Sequence, residues 1–142
     1  MKNSKEILSS LLLTTQLGQA GIRSVLDVGM QPGLRKALEG QLREYNSIES
    51  EAHSIASQRG WELRELEPAV RFLTDRRSRM RIYGRDTDSK IADMMIQGNT
   101  KGMIRSLKDL HRFGGTDQQI HILSQKLLDC ETANILKFKT FL

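Results

Sequence analysis

The chain has 142 residues, a net charge of +5 and one cysteine, Cys130. This length suits one domain, residues 1–142, whose apolar core is large enough to be stable without disulfides or a structural metal ion. A lone cysteine also excludes an intrachain disulfide. The apolar run at 7–13 is too short to cross a bilayer, so we expect neither a secretion leader nor a contact with a membrane. A soluble cytoplasmic protein is the default expectation.

Helical signals dominate the first part of the chain. Asn3 or its neighbour Ser4 can cap a first helix, which keeps an apolar spacing of three and four residues to about Val28. Glycines then interrupt the pattern, and Pro32 suits the first turn of a second helix that continues to about Arg59. The break is short, so the two helices should be antiparallel neighbours.

Two more helices are predicted towards the end of the chain. One begins near Ser89 and continues to Phe113, where two glycines stop it. Thr116 and Gln119 have the spacing of a capping box for a last helix that reaches the C-terminus. A further helical piece, at about 65–83, is expected between the two pairs of helices.

The predicted elements therefore form two hairpins, residues 3–59 and 89–142, joined by a partly helical crossover over 60–88. A long connection lets the second and third helices run in the same direction, which is the single-crossover arrangement of ferritin-like folds. Helical residues rise about 1.5 Å each, so the crossover is long enough to return along most of a bundle. We expect an all-α, ferritin-like four-helix bundle.

Two acids interrupt the apolar stripes of the second and last helices. Glu49 and Glu131 are 82 residues apart, and the same offset aligns Asp27 with Asp109. This offset indicates an internal repeat in which each unit is a helical hairpin. A buried carboxylate without partners is costly, so each stripe needs a reason to carry one. The stripes consist of Leu38, Leu42, Tyr45, Glu49, Ala52 and Ala56, and of Leu128, Glu131, Ile135, Phe138 and Leu142.

Two stretches of the chain resemble a known family. The first begins with Gln31-Pro-Gly-Leu-Arg-Lys-Ala-Leu, ends with Arg59-Gly-Trp, and resembles the second helix of bacterial spore-coat-F-like proteins. The second begins with Asp88-Ser-Lys-Ile-Ala-Asp-Met-Met, continues at Leu127-Leu-Asp-Cys-Glu-Thr-Ala-Asn-Ile, and resembles other small bacterial proteins of this bundle type. The resemblance covers most of the chain, and it implies a ferritin-like helical bundle rather than an activity.

A metal site is one explanation of the two acids. Ferritin-like metal enzymes carry a Glu on the first and third helices and Glu-x-x-His on the second and fourth. Here Ala52 and Asn134 stand where the histidines would be, and His53 is one residue off the motif. Neutral amides bind transition metals poorly against water, so Glu49, His53 and Glu131 indicate at most a degenerate metal site. We therefore expect no bound cofactor.

A remnant polar layer is the other explanation of the acids. Amides, a tyrosine or an arginine could form hydrogen bonds with both carboxylates inside the bundle. The predicted layer consists of Gln19, Glu49, Gln97, Asn99, Glu131 and Asn134.

The main charge feature is an arginine-rich stretch of the predicted crossover. Five arginines fall within ten residues that contain no acid: Arg76, Arg77, Arg79, Arg81 and Arg85. Such a patch could contact the phosphates of a nucleic acid, with a strong dependence on salt. It could instead pair with acids on a second subunit or a partner protein while the arginine stems cover apolar surface. We favour the second reading.

The function predicted from these observations is non-catalytic, because no nucleophile has a nearby base in a recognisable motif. We expect a structural or interaction protein that forms homo-oligomers, a dimer above all, and the family resemblance adds a relation to spore-coat proteins. Two alternatives stay open. One is a metal-binding or oxidative-stress protein that uses Glu49, His53 and Glu131, and the other is a nucleic-acid binder that uses the arginine-rich crossover.

Overall fold

The computed structural model describes residues 1–66 and 84–142. These residues form four helices: α1 (Ser4–Arg23), α2 (Pro32–Gln58), α3 (Thr87–Arg112) and α4 (Gln118–Lys139). The described ranges contain no β-strand, so the all-helical, four-helix prediction is confirmed. The helical piece predicted at 65–83 lies outside the described residues, apart from positions 65 and 66, which are not helical.

Local interactions explain where the first two helices begin and end. The Asn3 side chain caps α1 by accepting a hydrogen bond from the Glu6 amide at 2.9 Å. The helix stops at Arg23 rather than near Val28, because the chain continues beyond it only as turns. Gly60 follows α2 with φ +67°, a left-handed conformation that glycine adopts without steric cost.

The last helix begins one residue later than the predicted capping box. Asp117 rather than Thr116 is the N-cap, and its carboxylate accepts the amide hydrogen of Ile120. The Arg59 guanidinium, just after α2, donates to both oxygens of the same carboxylate and lowers the pKa of Asp117 to about 2. A carboxylate kept ionised in this way is a stronger acceptor for a helix N-terminus than a threonine hydroxyl.

The order of side-chain contacts along the helices gives their directions. Helices α2 and α3 run parallel, whereas α4 is antiparallel to α2 and α1 is antiparallel to α3. Helix α2 therefore ends at the opposite end of the bundle from the place where α3 begins. The contacts that show this are Gln31–Asp88 and Gln41–Asn99 between α2 and α3, Glu44–Asn134 and Glu51–Lys126 between α2 and α4, and Lys2–Asp109 and Thr14–Arg105 between α1 and α3.

The apolar core lies between the four helices, and each helix contributes to it. Among the described residues, no helix is long and apolar enough to cross a membrane. The largest fully buried side chains are Ile7, Leu8, Leu12, Ile22, Leu34, Leu38, Ile48, Ile91, Ile120, Leu123, Leu127 and Phe138.

The apolar stripe predicted for the last helix extends too far towards the C-terminus. Leu142 is 62% exposed because α4 ends at Lys139. The buried face of α4 also lies slightly to one side of the predicted stripe. It is centred on Leu127, Glu131 and Asn134, and the predicted stripe residues Leu128 and Ile135 are half-buried at its edge.

A polar contact joins the beginning of α1 to the end of α3. Asp109 is 6% exposed and accepts hydrogen bonds from the Lys2 ammonium at 2.7 Å and from the Ser10 hydroxyl. The Lys2 amide also donates to the Arg112 carbonyl at 2.8 Å. Asp27, which the sequence repeat aligns with Asp109, is exposed, so the two aligned acids have different environments.

Candidate functional site

The centre of the bundle contains a buried carboxyl group. Glu131 on α4 is 1% exposed, and its Oε2 atom accepts a hydrogen bond from the Tyr45 hydroxyl of α2 at 3.2 Å. The same hydroxyl lies 3.4 Å from the side-chain oxygen of Asn99 on α3. Three helices therefore contribute to one polar contact inside the core, which we call the central polar cluster: Gln41, Tyr45, Asn99 and Glu131.

An amide pair forms the second half of the central polar cluster. Gln41 Nε2 donates to Asn99 Oδ1, and Asn99 Nδ2 donates back to Gln41 Oε1 at 3.2 Å. Asn99 Nδ2 also donates to the Met95 carbonyl at 2.9 Å, which fixes its orientation on α3. Both amides are buried and each donates to the other, so the pair joins α2 to α3 across the bundle.

Two glycines make space for the cluster. A methyl group on Gly102 of α3 would overlap the Glu131 carboxyl group, and one on Gly18 of α1 would overlap the Tyr45 ring. A methyl group on Gly98, one turn before Gly102, would meet nothing within 4 Å. Glycine is unfavourable inside a helix, so Gly18 and Gly102 are explained by the side chains that pack against them.

Burial controls the ionisation of Glu131. Loss of hydration in the core raises its pKa to about 8, and the Tyr45 hydrogen bond, the Arg105 charge and the Ser106 hydroxyl oppose this rise without cancelling it. Burial, and next the charge of ionised Glu131, raise the pKa of Tyr45 well above its ordinary value. At neutral pH the Glu131 carboxyl group is therefore mostly protonated, and Tyr45 is an uncharged phenol.

The second acid of the sequence repeat lies in a different environment. The Glu49 side chain is 27% exposed, and its Oε2 atom accepts a hydrogen bond from Gln19 Nε2 at 2.8 Å. This pair joins α1 to α2 near the surface. Glu49 and Gln19 are therefore hydrogen-bonded as the polar-layer prediction requires, but outside the central polar cluster.

One member of the predicted polar layer is misplaced, and one was missed. Gln97 is exposed and donates to Asp93 on its own helix at 2.9 Å, so its assignment to the core is wrong. Gln41 is the buried amide that pairs with α3, and the sequence does contain a signal for it. It continues the alternating spacing of four and three residues that leads from Leu38 to Tyr45 along the buried face of α2.

Asn134 is buried as predicted, but it contacts other groups. Its Nδ2 atom donates to the Cys130 carbonyl at 2.7 Å and to Glu44 Oε1 at 3.2 Å. Burial, followed by the charge of Glu44, raises the pKa of the Cys130 thiol to about 12. A thiol in this state is a weak nucleophile, so Cys130 is a small core residue and not a reactive group.

The residues predicted as a metal remnant do not share one site. His53 is exposed on α2, with its Nε2 atom 4.0 Å from a Glu49 oxygen and 3.2 Å from a Glu65 oxygen, whereas Glu131 contacts Tyr45 in the core. Among the residues at 1–66 and 84–142, no three Cys, His, Asp or Glu side chains are grouped so that they could hold a metal ion. The residues present therefore do not fit the paired carboxylates and histidines of a ferritin-like metal centre.

One arginine of the predicted basic patch falls within the described residues. Arg85 is exposed just before α3. The other four arginines lie outside the described residues: Arg76, Arg77, Arg79 and Arg81.

Alanine substitutions at Gly102 and Gly98 should have opposite effects on stability. Gly102→Ala should lower the free energy of unfolding by about 1–3 kcal/mol, because the new methyl group displaces the Glu131 carboxyl group from its packed position. Gly98→Ala should raise it by up to about 1 kcal/mol, because alanine favours a helix and meets no neighbour here. Urea unfolding followed by circular dichroism measures both values, and equal effects would contradict the packing described here.

Glu131→Gln should change how stability depends on pH. The folded-state pKa of about 8 lies above the ordinary value of 4.5, so the folded protein holds an extra proton between these values. The free energy of unfolding of the wild type should therefore fall relative to that of the variant as the pH rises from about 5 to about 8. At roughly 1.4 kcal/mol per pKa unit, the relative loss should be on the order of a few kcal/mol.

Glu49→Gln is the matched control for this experiment, because Glu49 is a partly exposed glutamate on a neighbouring helix. It should retain the pH dependence of the wild type in urea unfolding. Parallel pH profiles for the wild type and Glu131→Gln would show that Glu131 is hydrated in the folded protein.

Comparisons with protein-family models, with curated proteins and with solved structures find no match for this chain. The resemblance to spore-coat-F-like and other ferritin-like bundle proteins therefore stays a prediction. The all-helical fold and the central polar cluster rest on the structure alone.

Proposed function

We propose that this protein is a ferritin-like helical bundle, related to spore-coat-F-like proteins, that acts as a structural or interaction protein and not as an enzyme. The directions of the helices support the fold proposal. Parallel α2 and α3 need a long connection between them, as in single-crossover bundles of the ferritin type.

The observation that carries the functional proposal is the pairing of polar groups inside the bundle. Tyr45 donates to Glu131, and Gln41 and Asn99 bond each other. A ferritin-like enzyme would instead direct carboxylates and histidines at two metal ions inside its bundle. Polar groups that bond each other across helices hold the bundle in one arrangement, which suits a structural role.

The surface of α3 supports association between copies of the chain. Ile104 is 45% exposed and Leu107 is 39% exposed, and residues three apart lie on the same face of a helix. Neighbouring exposed apolar side chains are typical of a surface that another protein covers. We place the contact of a homodimer on this face of α3.

The test measures mass and metal content on the same purified protein. Light scattering should give a dimer for the wild type and a monomer for the double variant Ile104→Glu, Leu107→Glu, because buried charges in the contact would be unpaired. Ile122→Glu is the matched control: Ile122 is 64% exposed on α4, and its change should leave the dimer intact.

Incubation with Fe(II) or Mn(II) should not raise the melting temperature, since only tight binding to the folded state stabilises it. Two outcomes would contradict the proposal. A monomeric wild type, or a dimer that survives the double substitution on α3, would remove the proposed contact. Retention of about two metal ions per chain after gel filtration would favour the metal-binding alternative instead.

A further inference from the structure

A cavity of about 290 Å³ lies beside the central polar cluster. It opens between α1 and α3 and reaches inwards to Tyr45 and Glu131. Its volume lies at the lower limit of the roughly 300–1,000 Å³ that is usual for ligand sites, so a ligand would have to be small.

Glu131 lies at the inner end of this cavity and carries a buried oxygen atom that is not hydrogen-bonded within the described part of the chain. Its Oε2 atom bonds Tyr45, but its Oε1 atom is buried and has no hydrogen-bond partner among the described residues. Buried polar atoms are seldom left without a partner, so this oxygen indicates that a group belongs next to it. Glycines keep the nearby space open, since a methyl group on Gly21 or Gly98 would meet nothing within 4 Å.

The remaining lining of the cavity is basic on one side and apolar on another. Lys101 and Arg105 are four residues apart on α3 and both line the cavity. The Arg105 guanidinium lies 3.4 Å from the Thr14 hydroxyl of α1, so it is held between the two helices. The apolar lining consists of Leu17, Ile22, Met94 and Met95.

We propose that the cavity binds a small free amino acid with an apolar side chain. The ammonium group would donate to Glu131 Oε1, the carboxylate would pair with Arg105 and Lys101, and the side chain would contact the apolar lining. A simple cation would be repelled by the two basic residues, and a simple anion would be repelled by Glu131 once its carboxyl group is ionised. A zwitterion matches both. The cavity adjoins the subunit contact proposed on α3, since Lys101 is three residues before Ile104, but the two sites share no residue.

Binding of the ammonium group requires the Glu131 carboxylate, so a protonated Glu131 must release its proton to solvent when the ligand binds. The charged or titratable groups that interact with Glu131 are Tyr45 from α2, Arg105 from α3 and Cys130 from α4, and Lys101 of α3 lines the same cavity. The cavity residues of α1 are uncharged: Thr14, Leu17, Gly18, Gly21 and Ile22. The affinity should therefore increase with pH until Glu131 is ionised.

Isothermal titration calorimetry of the full chain can test this with three matched probes: L-leucine, 4-methylpentanoate, which lacks the amine, and 3-methylbutylamine, which lacks the carboxylate. Leucine should bind at least about tenfold more tightly than either analogue. It should also bind about tenfold more tightly at about pH 8.5 than at about pH 6.5. Glu131→Gln should weaken leucine binding at least about tenfold, and Glu49→Gln should not change it.

Gly98→Leu provides a second variant that leaves Glu131 in place and fills the open part of the cavity. It should abolish leucine binding while the helix content stays that of the wild type. No heat with leucine, an analogue that binds as tightly as leucine, or unchanged leucine binding in Glu131→Gln or Gly98→Leu would each overturn the proposal. An affinity that is constant or falls with rising pH would also overturn it.

Discussion

The Glu131 carboxyl group lies where α2, α3 and α4 meet, and the packing of these helices depends on how the protein accommodates it. A charged carboxylate in the core would cost several kcal/mol of hydration, so the folded protein retains the proton and supplies the Tyr45 hydroxyl. Position 102 must then be a glycine, because the side chain of any larger residue would overlap the Glu131 carboxyl group. Gly18 follows from the same contact, since the Tyr45 ring lies against it. One polar group thus constrains residues on all four helices.

The same sequence feature has different physical consequences in the two hairpins. Glu49 and Glu131 occupy matching positions of the repeat, but only Glu131 lies beside a glycine that lets it enter the core. Glu49 remains partly exposed and bonds Gln19. The aligned aspartates differ in the same way, because Asp109 is buried by Lys2 and Ser10 and Asp27 is exposed. The neighbours of the aligned acids therefore give them different environments in the two hairpins, which a comparison of the two sequence halves cannot reveal.

Much of the helical fold follows from local sequence rules, whereas the central polar cluster does not. Apolar spacing, Asn3, Pro32 and Gly60 are local signals, and they place the helices to within a few residues. The choice between Gln97 and Asn99 depends on the rotation of α3 against α2, which is a tertiary property. The contact between Tyr45 and Glu131 joins residues of two different hairpins, so no local pattern encodes it. Gln41 was predictable in principle, because it follows the same spacing as the apolar residues around it.

The polar groups of the core thus act first as structural contacts, and the unpaired oxygen of Glu131 gives the adjoining cavity its proposed ligand chemistry. Both conclusions depend on a buried carboxyl group with a raised pKa, which is mostly protonated at neutral pH and must ionise before the ligand binds. A carbon-13 NMR titration of protein labelled at the glutamate carboxyl carbons measures this directly. We predict one resonance that titrates near pH 8 and is missing from the spectrum of Glu131→Gln. If all glutamate resonances titrate near the ordinary value of 4.5, Glu131 is hydrated and the account is contradicted.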